Sequence, residues 1–418
     1  MTSEHYDVLV VGGGAAGVAA AVGAAREGAR TLLVERFGFL GGAATNANVL
    51  AYCGFWTQRD PPRMGVRGVG AEVLNELHHL GLDVTPLRTP TENWIVALDP
   101  EAVKLALDRV AGRHGVDCLL HSRVVEAECA EGRVQAVVVA DHAGMREITA
   151  DAFVDASGQA DLVALAGGDV SIPPDEVRQA ASFPVRFGGI PAGIVIDRAA
   201  VREAIARLDG EEPGIRVRPE GGMFFRLPIS ADIWWLGIDV LTDGLNGASL
   251  TRAEIAGRAM AWRAQQAFKD AVPGFAGAYI SGTGPQVGIR AARTATPRLH
   301  LRAEAMLAGQ LTDDGVALGC WPAEVHHGLS GARYDRIGGD GSYHVPYDAI
   351  RAAAFDNVWL GGRAIGCDPL VYGSLRVMGT AFATGHAAGV AAACSVQTGR
   401  ENGVAEVRAA LLRQGAII

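Results

Sequence analysis

The stretch Tyr6-Asp-Val-Leu-Val-Val11-Gly12-Gly-Gly14-Ala-Ala-Gly17 constrains this chain more than any other. Four of the six residues from Tyr6 to Val11 are Val or Leu, as a parallel strand buried on both faces requires. Gly12 permits a tight turn out of the strand, Gly14 lets the backbone approach a pyrophosphate, and Gly17 lets the next helix pack closely. Ala15 and Ala16 open that helix, whose N-terminus offers free N–H groups and a positive dipole end to phosphates. Such a glycine pattern also arises by chance, and its alternative is an ordinary strand-turn-helix. The context favours a nucleotide. Arg30-Thr-Leu-Leu-Val-Glu35 is a second strand, ending in an acid about 20 residues on where a ribose hydroxyl would be held, with Arg36 beside it.

At 418 residues the chain is too long for one simple core, so two domains are expected. With 49% hydrophobic and 20% charged residues it is globular rather than disordered. A net charge of -9 and the absence of a Lys/Arg run argue against a nucleic-acid partner. The six cysteines are scattered without a CxxC pair, which excludes an obvious zinc or iron–sulfur site and fits reduced thiols in the cytoplasm. The apolar N-terminus lacks a basic region and contains Asp7, so it is not taken as a signal peptide. No other segment has the length and apolarity of a membrane span.

Ala15 to Glu27 forms an alanine-rich helix closed by Gly28. Phe37-Gly-Phe-Leu-Gly41-Gly42-Ala43-Ala44-Thr45-Asn46 is a second glycine-rich loop. Val49 to Trp94 is expected to be irregular apart from a helix near Ala71 to Leu80, and Asp99-Pro100-Glu101 starts a helix to about Arg113. Strands follow at Val116–Val125, Arg133–Ala140 and Glu147–Asp155. From about Ser171 to Ala354 strands such as Met223–Leu227 and Ile233–Val240 alternate with turns, and a helix covers Arg252 to Phe268. On the second of these strands a period of two puts Trp234, Leu236, Ile238 and Val240 on one face. Asn357 to Arg363 is another strand entering a glycine turn, and Met378 to Ala393 is a small-residue helix. The nucleotide domain is therefore discontinuous (1–48, 97–170 and 355–418), with 49–96 and 171–354 inserted as a substrate or cap domain.

Taken together, these blocks resemble the FAD-dependent oxidoreductases of the glutathione-reductase-like superfamily. The nearer likeness is to the fumarate reductase/succinate dehydrogenase flavoprotein side. It rests on Gly12 to Gly17 with Glu35, on Leu40 to Thr45, and on Val154-Asp155-Ala156-Ser157-Gly158, with Ser157 where the family usually has Thr. Leu360-Gly361-Gly362-Arg363, Gly373-Ser374-Leu375-Arg376-Val377-Met378-Gly379 and Gly385-His-Ala-Ala-Gly389 complete it. The resemblance implies an α/β fold: a Rossmann-like FAD domain of parallel sheet, helices and β-meander, with an inserted α+β domain. It implies that Val124, next to Arg123, meets adenine through its backbone, and that Gly41 and Gly42 let the chain pass under the phosphate arm. Gly362 and the start of the C-terminal helix, from Ser374 to Met378, would lie at the pyrophosphate and the flavin N1–C2=O edge. A helix dipole there favours the charge of a reduced flavin. No histidine lies between Arg36 and Thr45, so non-covalent FAD is expected.

The expected reaction moves a hydride between flavin N5 and a small organic substrate held between the domains. The alternatives are a flavin monooxygenase or oxidase using O2, and a protein that binds FAD without turnover. Whether the second redox partner is O2, a quinone or a protein, and whether the chain forms a homo-oligomer, stays open. His326 is the first candidate for proton transfer, against a structural, hydrogen-bonded histidine. The adjacent His327 would point elsewhere, and no metal is expected. Arg290 and Arg376 are candidates to clamp a carboxylate, against salt bridges between domains. Tyr347 and Tyr343 are runners-up. Cys53 is a candidate reactive thiol if its pKa is lowered, and Phe224, Phe225, Trp234 and Trp235 are candidates to wall a pocket.

Overall fold

The computed structural model describes residues 4–208, 213–326, 328–329, 331–399 and 403–418. Its centre is β1 (Glu4–Val11), whose last four residues are all buried. On one side β1 pairs in parallel with β2 (Thr31–Val34), and β3 (Asp117–Leu119) continues the sheet beyond β2. The chain then turns through an antiparallel meander of β4 (Arg123–Ala130), β5 (Arg133–Asp141) and β6 (Gly144–Asp155). β6 also runs parallel to β1 on its free side, and β7 (Val358–Leu360) joins the end of β6 in parallel. The parallel order β3-β2-β1-β6-β7 reverses direction next to β1, where a doubly wound sheet opens a crevice at its carboxyl ends. The expected parallel sheet with a β-meander is therefore what forms. The single strand expected over Val116–Val125 is instead two strands, because His121 adopts a left-handed backbone (φ 54°) that turns the chain out of the sheet.

Helix α1 (Ala15–Arg26) leaves β1 through Gly12 (φ +98°), and a Cβ on Gly17 would fall 1.6 Å from the Gly12 carbonyl oxygen. The segment expected to be irregular is ordered. Ala51–Cys53, Trp94–Ala97 and Leu87–Arg88 make a small antiparallel sheet, and α2 (Val69–His79) packs on α3 (Pro100–Arg113). Its strands are only two to four residues long, too short for a legible period of two. Asp99 caps α3 by accepting from the Glu101 N–H, with Pro100 at the first position.

A second core is built from residues between Ala181 and Ala292. Helix α4 (Gly247–Ala271) is longer than its apolar pattern suggests, because Asn246 caps it upstream by accepting from the N–H groups of Ala248 and Ser249. The strand expected over Ile233–Val240 breaks at Gly237. Ile233–Leu236 and Ile238–Val240 lie in different sheets, and a Cβ at Gly237 would strike the Trp235 ring. The shared face is lost with it, so Trp234 packs in the first core while Trp235, Ile238 and Val240 pack in the second.

The long helix α5 (Met378–Thr398) lies against α1 with backbones in close approach. A Cβ on Gly385 would come within 2.1 Å of the Ala16 carbonyl oxygen, and one on Gly389 within 1.9 Å of that of Ala20. The approach brings two helix N-termini to the same edge of the sheet. Among the described residues no single helix is long and apolar enough to cross a membrane.

Candidate active site

A cleft of about 1810 Å³, counted with its opening to solvent, runs from β1 and α1 to the second core. At its near end Gly12, Gly14, Ala15 and Ala16 line the wall. The first turn of α1 carries no acid and no side-chain cap, so among the described residues its leading N–H groups, at the cleft wall, have no acceptor. Gly42 and Ala43 lie opposite. A Cβ on Gly42 would sit 2.8 Å from the Gly14 Cα, so the two glycine loops run back to back. Glu35 lines the wall beyond them, and its carboxylate accepts from the N–H groups of Gly13 (2.6 Å) and Phe37 (2.9 Å). Burial raises its pKa against those two hydrogen bonds. Arg36, Arg123 and Val124 complete this end.

In the middle, Ala156, Ser157 and Gly158 face Gly362 and Arg363. The Ser157 hydroxyl donates to Asp155 Oδ1 (2.7 Å) and accepts from the Asp161 N–H (2.8 Å), which locks the turn after β6. Gly158 (φ +80°) leaves room for the Arg363 guanidinium, 2.6 Å from where its Cβ would stand. Val377 and Met378 bring the uncapped, acid-free start of α5 to the same stretch of wall. Two free helix N-termini, a glycine cradle and an acid at the ribose position fit a dinucleotide.

The segment between residues 181 and 292 docks beside the second glycine loop: the Trp234 indole donates to the Asn48 carbonyl (2.7 Å) and the Gln286 N–H to that of Asn46 (2.9 Å). This docking closes the far end of the cleft, where Arg290, Trp321, Glu324, Tyr334, Arg376 and Cys53 meet. Glu324 lies on the strand Ala323–His326, directly opposite Tyr334 on Ala332–Asp335. Its carboxylate accepts from the Trp321 indole and from His326 Nε2, each at 2.8 Å. Burial alone would raise the Glu324 pKa. The His326 hydrogen bond, the Arg376 charge and the Trp321 hydrogen bond outweigh it and hold the carboxyl well below the usual range. Tyr334 is pushed well above the usual tyrosine range by burial and by the Glu324 charge. Behind the wall, Arg218 grips Asp239 at 2.7 and 2.8 Å, and Arg290 reaches the same carboxylate at 3.2 Å.

His326 does not line the cleft. It is 2% exposed, and burial with the Arg290 charge pulls its pKa down to about 4. The imidazole is thus neutral at pH 7 and donates through Nε2 to the ionised Glu324. Its neighbour His327 lies outside the described residues. Tyr347 is also off the wall, buried with Arg351 over its ring. Tyr343 is a core residue donating to the Ser374 hydroxyl (3.1 Å). Ser374 in turn donates to the Trp321 carbonyl, and a Cβ on Gly373 would sit 2.8 Å from the Glu324 carbonyl oxygen. The Gly373-Ser374 pair therefore supports the Glu324 strand instead of lining the cleft. Gly17, Gly41, Ala44 and Thr45 stand behind the wall as well, Thr45 donating to the Leu40 carbonyl (2.8 Å). Cys53 is on the wall, but burial pushes its thiol up, opposite to the shift a reactive thiolate needs. Of the four aromatics only Trp234 lines the cleft; Phe225 packs on it at 4.5 Å, and Phe224 stacks on Trp235 in the second core.

Glu324, Tyr334, Arg218 and Asp239 carried no assignment from sequence. One signal for Glu324 was available: in a strand, Glu324 and His326 share a face, so the carboxylate lies within reach of the same imidazole that drew attention. Nothing local marks Tyr334 or the Arg218–Asp239 pair.

The family model described as FAD dependent oxidoreductase matches residues 7–414. Over 88 residues the chain is 38% identical to 3-oxosteroid 1-dehydrogenase of Mycolicibacterium smegmatis, a match covering 21% of this chain and only 15% of that relative. A geranylgeranyl bacteriochlorophyll reductase-like protein from Thermoplasma acidophilum has a similar structure. Its TM-score is 0.50 at 14% identity, over 99% of this chain and 85% of that one, a likeness of fold alone.

Proposed function

The chain belongs to the FAD dependent oxidoreductase family, and from that premise we propose that it moves a hydride between the flavin and a small organic substrate held at the far end of the cleft. The observation that carries this reading is Glu324, a wall carboxylate kept ionised inside the protein by Trp321, His326 and Arg376. When hydride leaves or reaches a substrate carbon, a proton moves at a neighbouring atom, which requires a positioned acid or base. Glu324 is in the charge state to take that proton and Tyr334 in the state to give one, although the shifts that hold them there make Glu324 a weak base and Tyr334 a weak acid. This replaces His326 in the proton-transfer role and makes it the donor that orients Glu324.

FAD, when bound, supplies the two-electron acceptor or donor. The start of α1, Glu35, Gly42, Val124, Gly158, Gly362 and the start of α5 would hold it. We assign residues 1–48, 97–170 and 355–418 to FAD and 49–96 and 171–354 to the substrate side. The local match to 3-oxosteroid 1-dehydrogenase supports placing the chain on the fumarate reductase/succinate dehydrogenase flavoprotein side. Six free thiols support a cytoplasmic setting. The test is an absorbance spectrum of the purified protein, then an anaerobic screen of alcohols, amines and hydroxy acids for bleaching of the flavin band. A colourless protein that refuses added FAD sinks the reading.

A further inference from the structure

Helix α4 buries one face and leaves the opposite face apolar and uncovered. Its inner residues Ala253, Met260, Ala261, Ala264 and Phe268 pack in the second core. Its outer face carries Ile255 (59% exposed) and Trp262 (61% exposed), with the exposed Ala259 between them and Gln266 beyond. Steps of four, three and four residues draw these side chains into one stripe along the helix. An exposed indole on such a stripe is the residue type most enriched at the centres of interfaces. Arg252 and Asp270 are eighteen residues apart, five full turns, so both stand on one flank of the stripe. Both are exposed, and among the described residues neither forms an ion pair. Lys269 stands on the other flank, with Glu254 further round the same side. Glu254 accepts from Arg258 (3.3 Å) and from the Val287 N–H (2.5 Å), and Arg263 is likewise engaged within the chain.

We infer that this face receives the same face of a second copy of the chain, the two α4 helices packing antiparallel about a two-fold axis level with Ala261. The order of charges along the helix selects a second copy. A two-fold axis perpendicular to the helices sets each flank against itself with its direction reversed. Arg252 is nine residues before Ala261 and Asp270 nine after it, so each Arg252 meets Asp270 of the other copy. On the opposite flank Lys269 comes within one residue of level with Glu254 of the other copy. Parallel packing would instead set Arg252 against Arg252 and Asp270 against Asp270. Trp262 is one residue past the axis, which brings the two indoles within about 3 Å of each other along the helix direction, each over the small Ala259 of the other copy. The 25-residue helix is about 38 Å long, and a strip of that length about 10 Å wide hides about 400 Å² per copy, half the roughly 800 Å² of a stable interface. The pair is therefore reversible, with a dissociation constant in the micromolar range.

The test is sedimentation velocity of the FAD-loaded full chain between about 1 and 200 μM. The unmodified protein is expected to pass from monomer to dimer across that range. Trp262→Ala should weaken the dimer at least about tenfold. Arg252→Asp and Asp270→Arg should each weaken it, and the two together in one chain should restore it, because the exchanged charges again meet their opposites. A monomer at every concentration overturns the inference, as does a dimer that Trp262→Ala leaves intact. A double variant no tighter than the single ones overturns the antiparallel register. A monomer that sediments with phosphatidylserine vesicles but not with phosphatidylcholine vesicles, and stops doing so in Trp262→Ala, gives the face to a lipid surface and overturns the pairing. If Trp262→Ala does not fold, the charge exchange still decides.

Discussion

Replacing Gly385 by Ala reverses the sign that helix propensity assigns to that change. Inside an ordinary exposed helix, Gly→Ala stabilises by roughly 1 kcal/mol, because Gly gives up more backbone freedom on folding. At Gly385 the new Cβ would stand 2.1 Å from the Ala16 carbonyl oxygen, where ordinary contact begins at 3.4 Å. The difference, 1.3 Å, has to come from moving α5 away from α1, since both contacting groups are helix backbone. Overpacking of this kind costs about 1–3 kcal/mol. The same displacement separates the two helix starts that line the cleft at Ala15–Ala16 and Val377–Met378. If each loses its dipole contribution of about 0.3–1 kcal/mol, FAD affinity falls about 3- to 30-fold. Gly112→Ala is the control. It lies in the last turn of α3 with nothing within 4 Å of its Cβ position, so it should stabilise by roughly 0.5 kcal/mol and leave FAD binding alone. Denaturant unfolding of both variants, with FAD affinity from flavin fluorescence, checks the pair. A Gly385→Ala protein as stable as the parent and with unchanged FAD affinity would refute the argument that this backbone contact builds the site.

Glu324→Gln should retain FAD while slowing anaerobic flavin reduction by an identified substrate roughly 10²- to 10⁴-fold; an unchanged rate removes Glu324 from proton transfer. Arg363→Met should weaken ADP and FAD alike by about tenfold, because Arg363 lines the cleft with no carboxylate within ion-pair distance among the described residues. Unaltered ADP affinity would place its charge elsewhere. His386 is 2% exposed, hydrogen-bonded to Gln414 at 2.7 Å, and its pKa is drawn by burial from 6.5 to about 4. Between those values the unfolded chain binds the extra proton, so His386 contributes stability fully above pH 6.5 and loses it as pH falls toward 4. The gap between the two values corresponds to about 3 kcal/mol. Unfolding free energies measured from pH 7 to 4 should therefore decline less steeply in His386→Gln, and an identical slope would contradict the assignment.

The cofactor end of the cleft was legible from sequence because its determinants are contiguous. Strand, glycine turn and helix start occupy Tyr6 to Gly17, and a turn that needs positive φ at Gly12 or no Cβ at Gly17 records that need in the residue itself. Glu35 and the Gly361–Gly362 turn were legible for the same local reason. The far end was not. Cys53, Arg290, the paired strands that carry Glu324 and Tyr334, and Arg376 come from four separate segments, and they meet where Trp234 and Gln286 dock on Asn48 and Asn46. His326 illustrates the limit: its residue type suggested proton chemistry, but burial keeps it neutral and turns it toward Glu324. By itself the sequence determined the sheet, the glycine cradle and the kind of cofactor, since these depend on backbone geometry encoded within a few residues. Only the tertiary structure decided which groups line the far end of the cleft and in what charge state, because burial and charge neighbours are properties of distant segments brought together.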